Sequence, residues 1–484
     1  MKILTYLEVM MLNISDHKSI EKVVRFFEEF SAIPHGSGNT SMIADYLVDF
    51  AKKRNLDYTR DTADNVVIRK KATKGLEDRP AIIFQGHLDM VAEKKPGAAI
   101  DMEKDGLKLY RDGDFLRAED TTLGGDDGVA LAYALAVLDS DDIAHPDFEA
   151  VFTSDEEIGL LGAVAIDPEA IKGRLLINID SDEEGVFTVG CAGGMRSDVV
   201  LPVRRTSSKS ECYRLKASGF KGGHSGVEID KGRVNANKAL IEVISKIGDI
   251  SIKDIRGGNA DNAIPRECEC TFSCENDPSD LILELAEGVK AKYSDIEPDV
   301  TFTLEKTECT TAGVCTEDSV RLISLLDKLP SGIIAMSTDV EGLVETSLNM
   351  GILKLGTDNA EVSFSVRSAK GTEKQRLGAR LEAIAKEHGA DYSTRGEYPA
   401  WEYKKDSHLR DVMKKVYEDM YGKSPEIVII HAGLECGIFS EKLEGIDCVS
   451  IGPNNYDIHT TEERLSLSSL ERVWDFLIRV LKEI

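Results

Sequence analysis

Apolar positions recur along this chain with two periods, and the prevailing pattern changes twice. Over 19–30 and 40–53 they return every three or four residues, which predicts amphipathic helices with one buried face each. Short unbroken apolar runs at 65–69, 81–85, 149–153 and 175–179 predict strands buried on both faces. The Ala- and Leu-rich stretch 129–138, which follows glycine-rich turn residues, predicts a helix. Strands alternating with helices predict an α/β unit with a largely parallel sheet. After Gly194 the texture differs. Segments 213–217, 263–272, 348–355 and 361–367 alternate apolar and polar, as half-exposed strands do, and 235–247, 280–291, 319–329 and 373–387 read as helices. Together they predict an α+β layer with one face open. From about Trp401 the first texture returns, with helices at 408–421 and 468–481 and strands at 427–430 and 448–451. The simplest topology is an α/β domain split into 1–192 and 400–484, with a second domain at 193–399 inserted in its middle.

Bulk properties narrow the partners. Hydrophobic residues make up 42% and charged residues 30% of the 484, enough apolar material for real cores. The formal charge is 59 − 86 = −27, which disfavours phosphate backbones and anionic membrane surfaces. We therefore expect no nucleic-acid and no membrane partner. No apolar run approaches the roughly 20 residues of a membrane helix. The opening MKILTYLEVMMLN has a faint signal-peptide look, but Glu8 interrupts its apolar core and no small-residue cleavage site follows; an alternative start near Met10 or Met11 is the simpler reading. The nine cysteines are scattered from Cys191 to Cys448, and Cys268, Cys270 and Cys274 lack a nearby histidine, so we expect reduced cysteines in a cytoplasmic protein rather than a disulfide framework or a cysteine metal site.

Five segments carry the candidate chemistry. Phe84-Gln85-Gly86-His87-Leu88-Asp89 ends an apolar strand, so His87 and Asp89 lie where open α/β sheets place ligands. Two residues apart on extended backbone, they point the same way, which suits a metal ligand and an acid that orients it. Leu123-Gly124-Gly125-Asp126-Asp127-Gly128 precedes an apolar helix, and an acidic helix start explains one of its acids better than two. Ser154-Asp155-Glu156-Glu157 and Ile179-Asp180-Ser181-Asp182 follow two more apolar strands, and His459 follows the strand ending at Ile451. Singly, such acids read as solvated loops. Jointly, they bring two histidines and several carboxylates to one end of one sheet, which suits zinc or a similar divalent ion. There are more acids than one ion needs, which favours a pair of ions bridged by a carboxylate.

QGHLDMV, TTLGGDDGVALA, TSDEEIGLLGA, NIDSDEEG, GGHSGVEI, GRVNANK, NAIPRE, HAGLECG and GPNNYDIHTTEERL occur here in one order over nearly the whole chain. In this the chain resembles the di-zinc peptidase family of carnosinases, aminoacylases and glutamate carboxypeptidases, and most of all its aminoacyl-histidine (cytosolic non-specific) dipeptidase branch. The resemblance implies a split zinc-peptidase catalytic domain with an inserted α+β lid that also dimerises. It implies two zinc ions per chain, with manganese or cobalt also suited to such ligands. His87 and Asp180 would bind one ion, Glu157 and His459 the other, and Asp126 both. Asp89 would orient His87, and Glu156 would be the general base. Relatives have Asp-Asn-Gly where this chain has Asp126-Asp127-Gly128, which leaves a role for Asp127 open, as Asp182 is a rival to Asp180. A cis peptide is expected between Asp126 and Asp127. His224 would donate to the oxyanion, Arg367 and Asn262 would hold the substrate carboxylate, and His431 and Glu435 would line the free-amine pocket. The implied reaction is hydrolysis of a small dipeptide, of Xaa-His type or broad, by a cytoplasmic homodimer. The alternatives are an N-acyl amino acid deacylase or tripeptidase on the same scaffold, and an inactive binding protein, against which the intact Asp89 and Glu156 argue.

Overall fold

The structure is a computed structural model and describes residues 12–207, 210–338, 340 and 342–484. The opening segment discussed above lies mostly outside the described residues. The chain divides into two compact units. Unit 1 comprises the residues up to Gly190 with Tyr403–Ile429 and Leu434–Ile484; unit 2 comprises Cys191–Glu402 and Ile430–Gly433.

Unit 1 is built on an eight-stranded mixed sheet whose centre is parallel. Phe148–Thr153, Ile82–His87, Leu175–Asn178 and Asp447–Ser450 lie side by side and run the same way. Every residue of the first three is buried, which is why they read as unbroken apolar runs. Antiparallel strands flank them, Asp57–Arg60 and Val66–Lys70 on one side and Val186–Cys191 on the other. Their register brings His87 level with Thr153 and Gln85 level with Asn178, so the parallel strands end along one edge.

The helix Gly125–Asp139 packs against this sheet and is buried almost throughout. Its Tyr133 stacks on Trp474 of the last helix, Leu467–Glu483, at 5.7 Å and donates its hydroxyl to Leu470 O at 2.7 Å. The aromatic face of Glu21–Ser31 covers it from another side, with Phe27 and Phe30 fully buried.

Unit 2 carries a nine-stranded antiparallel sheet in the order Thr301–Thr307, Glu211–Ser218, Cys268–Cys274, Ser251–Gly257, Val344–Leu355, Asn359–Ser368, Gly193–Pro202, Asp391–Tyr398, with Gly332–Met336 also against Val344–Leu355. Ala236–Ile244, Thr316–Lys328 and Gly371–Glu387 pack along it, and their apolar residues form one core with the inward side chains of the strands.

Two expectations need correction. The predicted strand 263–272 is broken at Pro265 into Ala263–Ile264 and Cys268–Cys274, because proline cannot donate to the ladder and its ring restricts the residue before it. Nor are all nine cysteines reduced: Cys212 and Cys309 are joined, because the neighbouring strands align Cys212 with Thr307 and bring Cys309, two residues on, beside it. The other seven form no disulfide, and burial pushes the Cys268 and Cys270 thiols up, away from the thiolate a metal would need. Among the described residues no helix is long and apolar enough to cross a membrane.

Candidate metal centre

The edge where the parallel strands end gathers seven ionisable side chains of unit 1. His87 is the last residue of its strand; Glu156 and Glu157 follow Phe148–Thr153, Asp180 follows Leu175–Asn178, and His459 lies nine residues beyond Asp447–Ser450. Asp126 and Asp127 sit at the start of Gly125–Asp139 in non-helical conformations, and the peptide bond between them is cis, as the resemblance implies. The Asp126 carboxylate lies between the two imidazoles: Oδ1 is 3.0 Å from His87 Nε2 and Oδ2 is 3.2 Å from His459 Nε2. Asp180 Oδ1 lies 3.8 Å from His87 Nε2, and Glu157 Oε1 lies 2.9 Å from His459 Nε2. Two groups of three donors result, His87–Asp126–Asp180 and Asp126–Glu157–His459, with Asp126 common to both; a third combination, His87–Glu156–Glu157, overlaps them. Imidazole and carboxylate in these numbers fit zinc or a similar divalent ion.

The electrostatics describe a pocket short of positive charge. Burial would raise the Asp126 carboxyl, but hydrogen bonds from His459 and His87 outweigh it and hold it below the carboxylate range. Asp180 is pushed well above that range by burial and by the Asp126 and Asp127 charges. Burial also pushes Glu156 up to about 8, with His87 opposing and Glu435 and Glu157 adding. Hydrogen bonds to Asp126 and Glu157 push His459 up to about 10. Burial would lower His87, yet its bonds to Asp126 and Asp89 win and raise it well above the usual histidine value. Without cations, the cluster holds protons that its side chains would ordinarily release near neutrality.

Supporting contacts fix these groups. His87 Nδ1 meets Asp89 O at 2.9 Å, and the Asp89 carboxylate stands 3.5 Å away. That carboxylate accepts from Glu156 N at 2.9 Å, Glu157 N at 3.3 Å and Ser37 Oγ at 2.8 Å, so Asp89 holds the two-glutamate loop as well as the histidine. Asp127 points away from the cluster: its Oδ2 accepts from His87 N at 3.1 Å, and burial raises its carboxyl well above the usual range. Gly86 makes room for it, since a Cβ there would lie 2.2 Å from Asp127 Oδ2. Neither Asp127 nor Asp182 belongs to a ligand group among the described residues.

Glu463 was given no role by sequence reasoning. It is buried, and it accepts from Leu123 N at 2.7 Å, Gly124 N at 3.1 Å, Gly125 N at 2.9 Å and Asn455 Nδ2 at 3.1 Å, clamping the turn that carries Asp126. Its one signal was its place four residues after His459. Glu435 is fully buried in unit 1, its Oε2 accepting from Gln85 Nε2 at 2.5 Å and Thr153 Oγ1 at 2.7 Å.

Four further candidates belong to unit 2. His224 Nδ1 accepts from Gly226 N and Val227 N, each at 3.2 Å, which places the proton of the neutral ring on Nε2. Burial and the Arg367 charge lower His224, keeping it neutral. Arg367 donates to Tyr398 Oη at 3.0 Å, and its buried Nε has no partner. Asn262 is exposed, and its carbonyl accepts from Ser225 N. His431 is buried against Ser347 Oγ at 2.7 Å and lies in unit 2, whereas Glu435 lies in unit 1.

The sequence profile of peptidase family M20/M25/M40 matches residues 83–483. The chain is 35% identical to a cytosol non-specific dipeptidase of Escherichia coli (strain K12) over 95% of its own length and 96% of that protein's. The solved structure of an aminoacylhistidine dipeptidase from Vibrio alginolyticus superposes with a TM-score of 0.92 at 34% identity, covering 96% of this chain and 97% of that one. A tripeptidase from Staphylococcus aureus shares the fold, with a TM-score of 0.55 at 18% identity over 98% of each chain.

Proposed function

The chain belongs to peptidase family M20/M25/M40, and from that premise we propose how it works as a dipeptidase: through two divalent ions held by the cluster of unit 1. The observation that carries this reading is the Asp126 carboxylate, which turns one oxygen to His87 and the other to His459. We assign His87 and Asp180 to one ion, Glu157 and His459 to the other, and Asp126 to both. Zinc is our choice of metal, manganese or cobalt being chemically compatible. When bound, the ions polarise the scissile carbonyl and acidify the attacking water.

Glu156 takes the proton from that water and delivers it to the departing amine. Asp89 is a positioning residue: it fixes His87 and, through two main-chain N–H groups, the segment bearing Glu156 and Glu157. His224 Nε2–H donates to the developing oxyanion. Arg367 and Asn262 receive the substrate carboxylate, for which a guanidinium has paired donors. For His431 and Glu435 the proposal is the free-amine side of the substrate. We further propose a cytoplasmic location, in keeping with the name of the Escherichia coli cytosol dipeptidase, and a homodimer, as the resemblance above implies.

The test is hydrolysis of a dipeptide panel, Xaa-His members included, by purified chain before and after chelation and zinc return. Activity lost to chelator and restored by about two equivalents of metal supports the reading. Metal-loaded chain that cleaves N-acetylated amino acids and no free dipeptide would replace it with the deacylase.

A further inference from the structure

We propose that a groove in unit 2, beside the strand Ser251–Gly257, is a binding site for a small, multiply charged oxyanion of the phosphate class, with Lys253 as its central contact. The groove uses no residue of the metal centre and stands whether or not the dipeptidase mechanism does.

The starting point is a β-bulge. Ser251–Gly257 pairs with Cys268–Cys274, and the register steps from Ile252↔Phe272 to Asp254↔Thr271, leaving Lys253 as the extra residue. A bulge re-aims the side chain it carries. Lys253 is only 5% exposed, it lines a groove of about 870 Å³, and its Nζ has no hydrogen-bond partner. No carboxylate lies within ion-pair distance of it among the described residues. The fold makes room for this ammonium, because a Cβ on Gly313 would come within 2.8 Å of both Lys253 Cδ and Nζ.

Arg205 stands at the same groove and is also without a carboxylate partner among the described residues. Its donors go to main-chain carbonyls: Nε to Thr357 O, Nη1 to Ala312 O and Lys253 O, Nη2 to Gly356 O, at 2.7 to 3.2 Å. It is thereby fixed, and it ties the bulge to two loops. Two more arginines line the groove together with Asp254, Glu269 and Glu308: Glu269 lies 3.1 Å from Arg256 and 3.8 Å from Arg214, and Asp254 lies 3.9 Å from Arg256. Four cations thus face three carboxylates, so the lining stays net positive in a chain whose net charge is −27, and Lys253 and Arg205 are its two cations with no carboxylate in ion-pair range among the described residues.

Burying an ammonium without a partner is costly, and the cost is removed when an anion supplies a charge-assisted hydrogen bond. Burial and the Arg205 charge also push Lys253 below the usual lysine range, a shift that an anion would reverse. Thr271, opposite Asp254 on the adjacent strand, lines the same groove and carries a hydroxyl. A tetrahedral oxyanion, with acceptors in several directions, suits an ammonium and a hydroxyl brought from neighbouring strands better than a planar carboxylate does.

The experiment is thermal denaturation and calorimetric titration of the metal-loaded full chain with inorganic phosphate and pyrophosphate, against sodium chloride at matched ionic strength and against acetate and citrate. The expected result is saturable binding of phosphate or pyrophosphate, with a midpoint that climbs with the logarithm of concentration. Lys253→Met should weaken it about tenfold or more, the weight of a lost hydrogen bond to a charged group, and leave dipeptide hydrolysis in phosphate-free buffer unchanged. Thr271→Val keeps the ammonium in place and should weaken binding by a smaller factor, a second reading if Lys253→Met does not fold. Phosphate bound at the metal centre instead would survive both substitutions. Equal affinities in wild type and both variants, no saturable effect, or tighter binding of acetate or citrate would each overturn the proposal.

Discussion

Both units bury charge beside a sheet, and they bury it with opposite sign. At the strand ends of unit 1, acidic groups outnumber basic ones, and the cluster answers by holding protons: Asp180 and Glu156 are raised, and so are His87 and His459. In unit 2 two buried bases shift the other way: Lys253 is lowered, and His431 is lowered to about 4 by burial and by Arg367. The direction of a shift thus names the charge a site lacks. In unit 1 the missing charge is positive, in unit 2 it is negative.

The largest effect that would break this contrast is catalytic. Glu156→Gln keeps the shape and removes the base; hydrolysis should fall by about 10² to 10⁴ with both metals still bound, and wild-type rates in the variant would end the assignment. Next is the link between metal and protons. His459 holds its proton up to about pH 10 in the metal-free chain, and His87 is also raised, while a ligand must be deprotonated. Metal uptake at pH 7 should release protons, and affinity should fall as pH falls, by about tenfold per pH unit for each proton released. Calorimetry in buffers of different ionisation heat measures the number; zero would show that the cluster is not the metal site.

A smaller effect tests unit 2. The folded chain keeps His431 neutral down to about pH 4, whereas an unfolded histidine takes its proton near 6.5. The stability this group contributes is therefore full above pH 6.5 and lost as pH drops toward 4, by about 3 kcal/mol at about 1.4 kcal/mol per unit of pH. Urea midpoints of His431→Gln should show less acid sensitivity than wild type over that window; parallel curves would remove His431 from the contrast. The smallest concerns the Asp126 turn. Glu463→Gln puts a donor in place of one of the two oxygens that three main-chain N–H groups share and should cost about 1–3 kcal/mol. If the turn matters to the metals, affinity for them drops as well.

The parallel strands of unit 1 were legible because each is an apolar run buried on both faces, and its ionisable residues were legible because each ends or follows such a run or, for Asp126 and Asp127, opens an apolar helix. Strands at the sheet edges were not. Asp57–Arg60 has one apolar residue, Tyr58, and Thr301–Thr307 has two, Phe302 and Leu304, before Glu305 and Lys306 end the alternation, too short a period to stand out. Glu463 could not be distinguished from its acidic neighbours, because its partners are N–H groups nearly 340 residues earlier. Lys253 was invisible for a related reason: a bulge is a property of the register between two strands, not of either strand alone.

The helix Gly125–Asp139 has one more consequence. With the sheet, Glu21–Ser31 and Leu467–Glu483 around it, and twelve consecutive buried residues from Asp127 to Leu138, its amides have no local route to solvent. Their exchange with deuterium should require opening of unit 1 as a whole. The slowest protons in the chain should therefore lie immediately beyond Asp126, so the piece of backbone that presents this carboxylate is among the last to loosen when the protein unfolds.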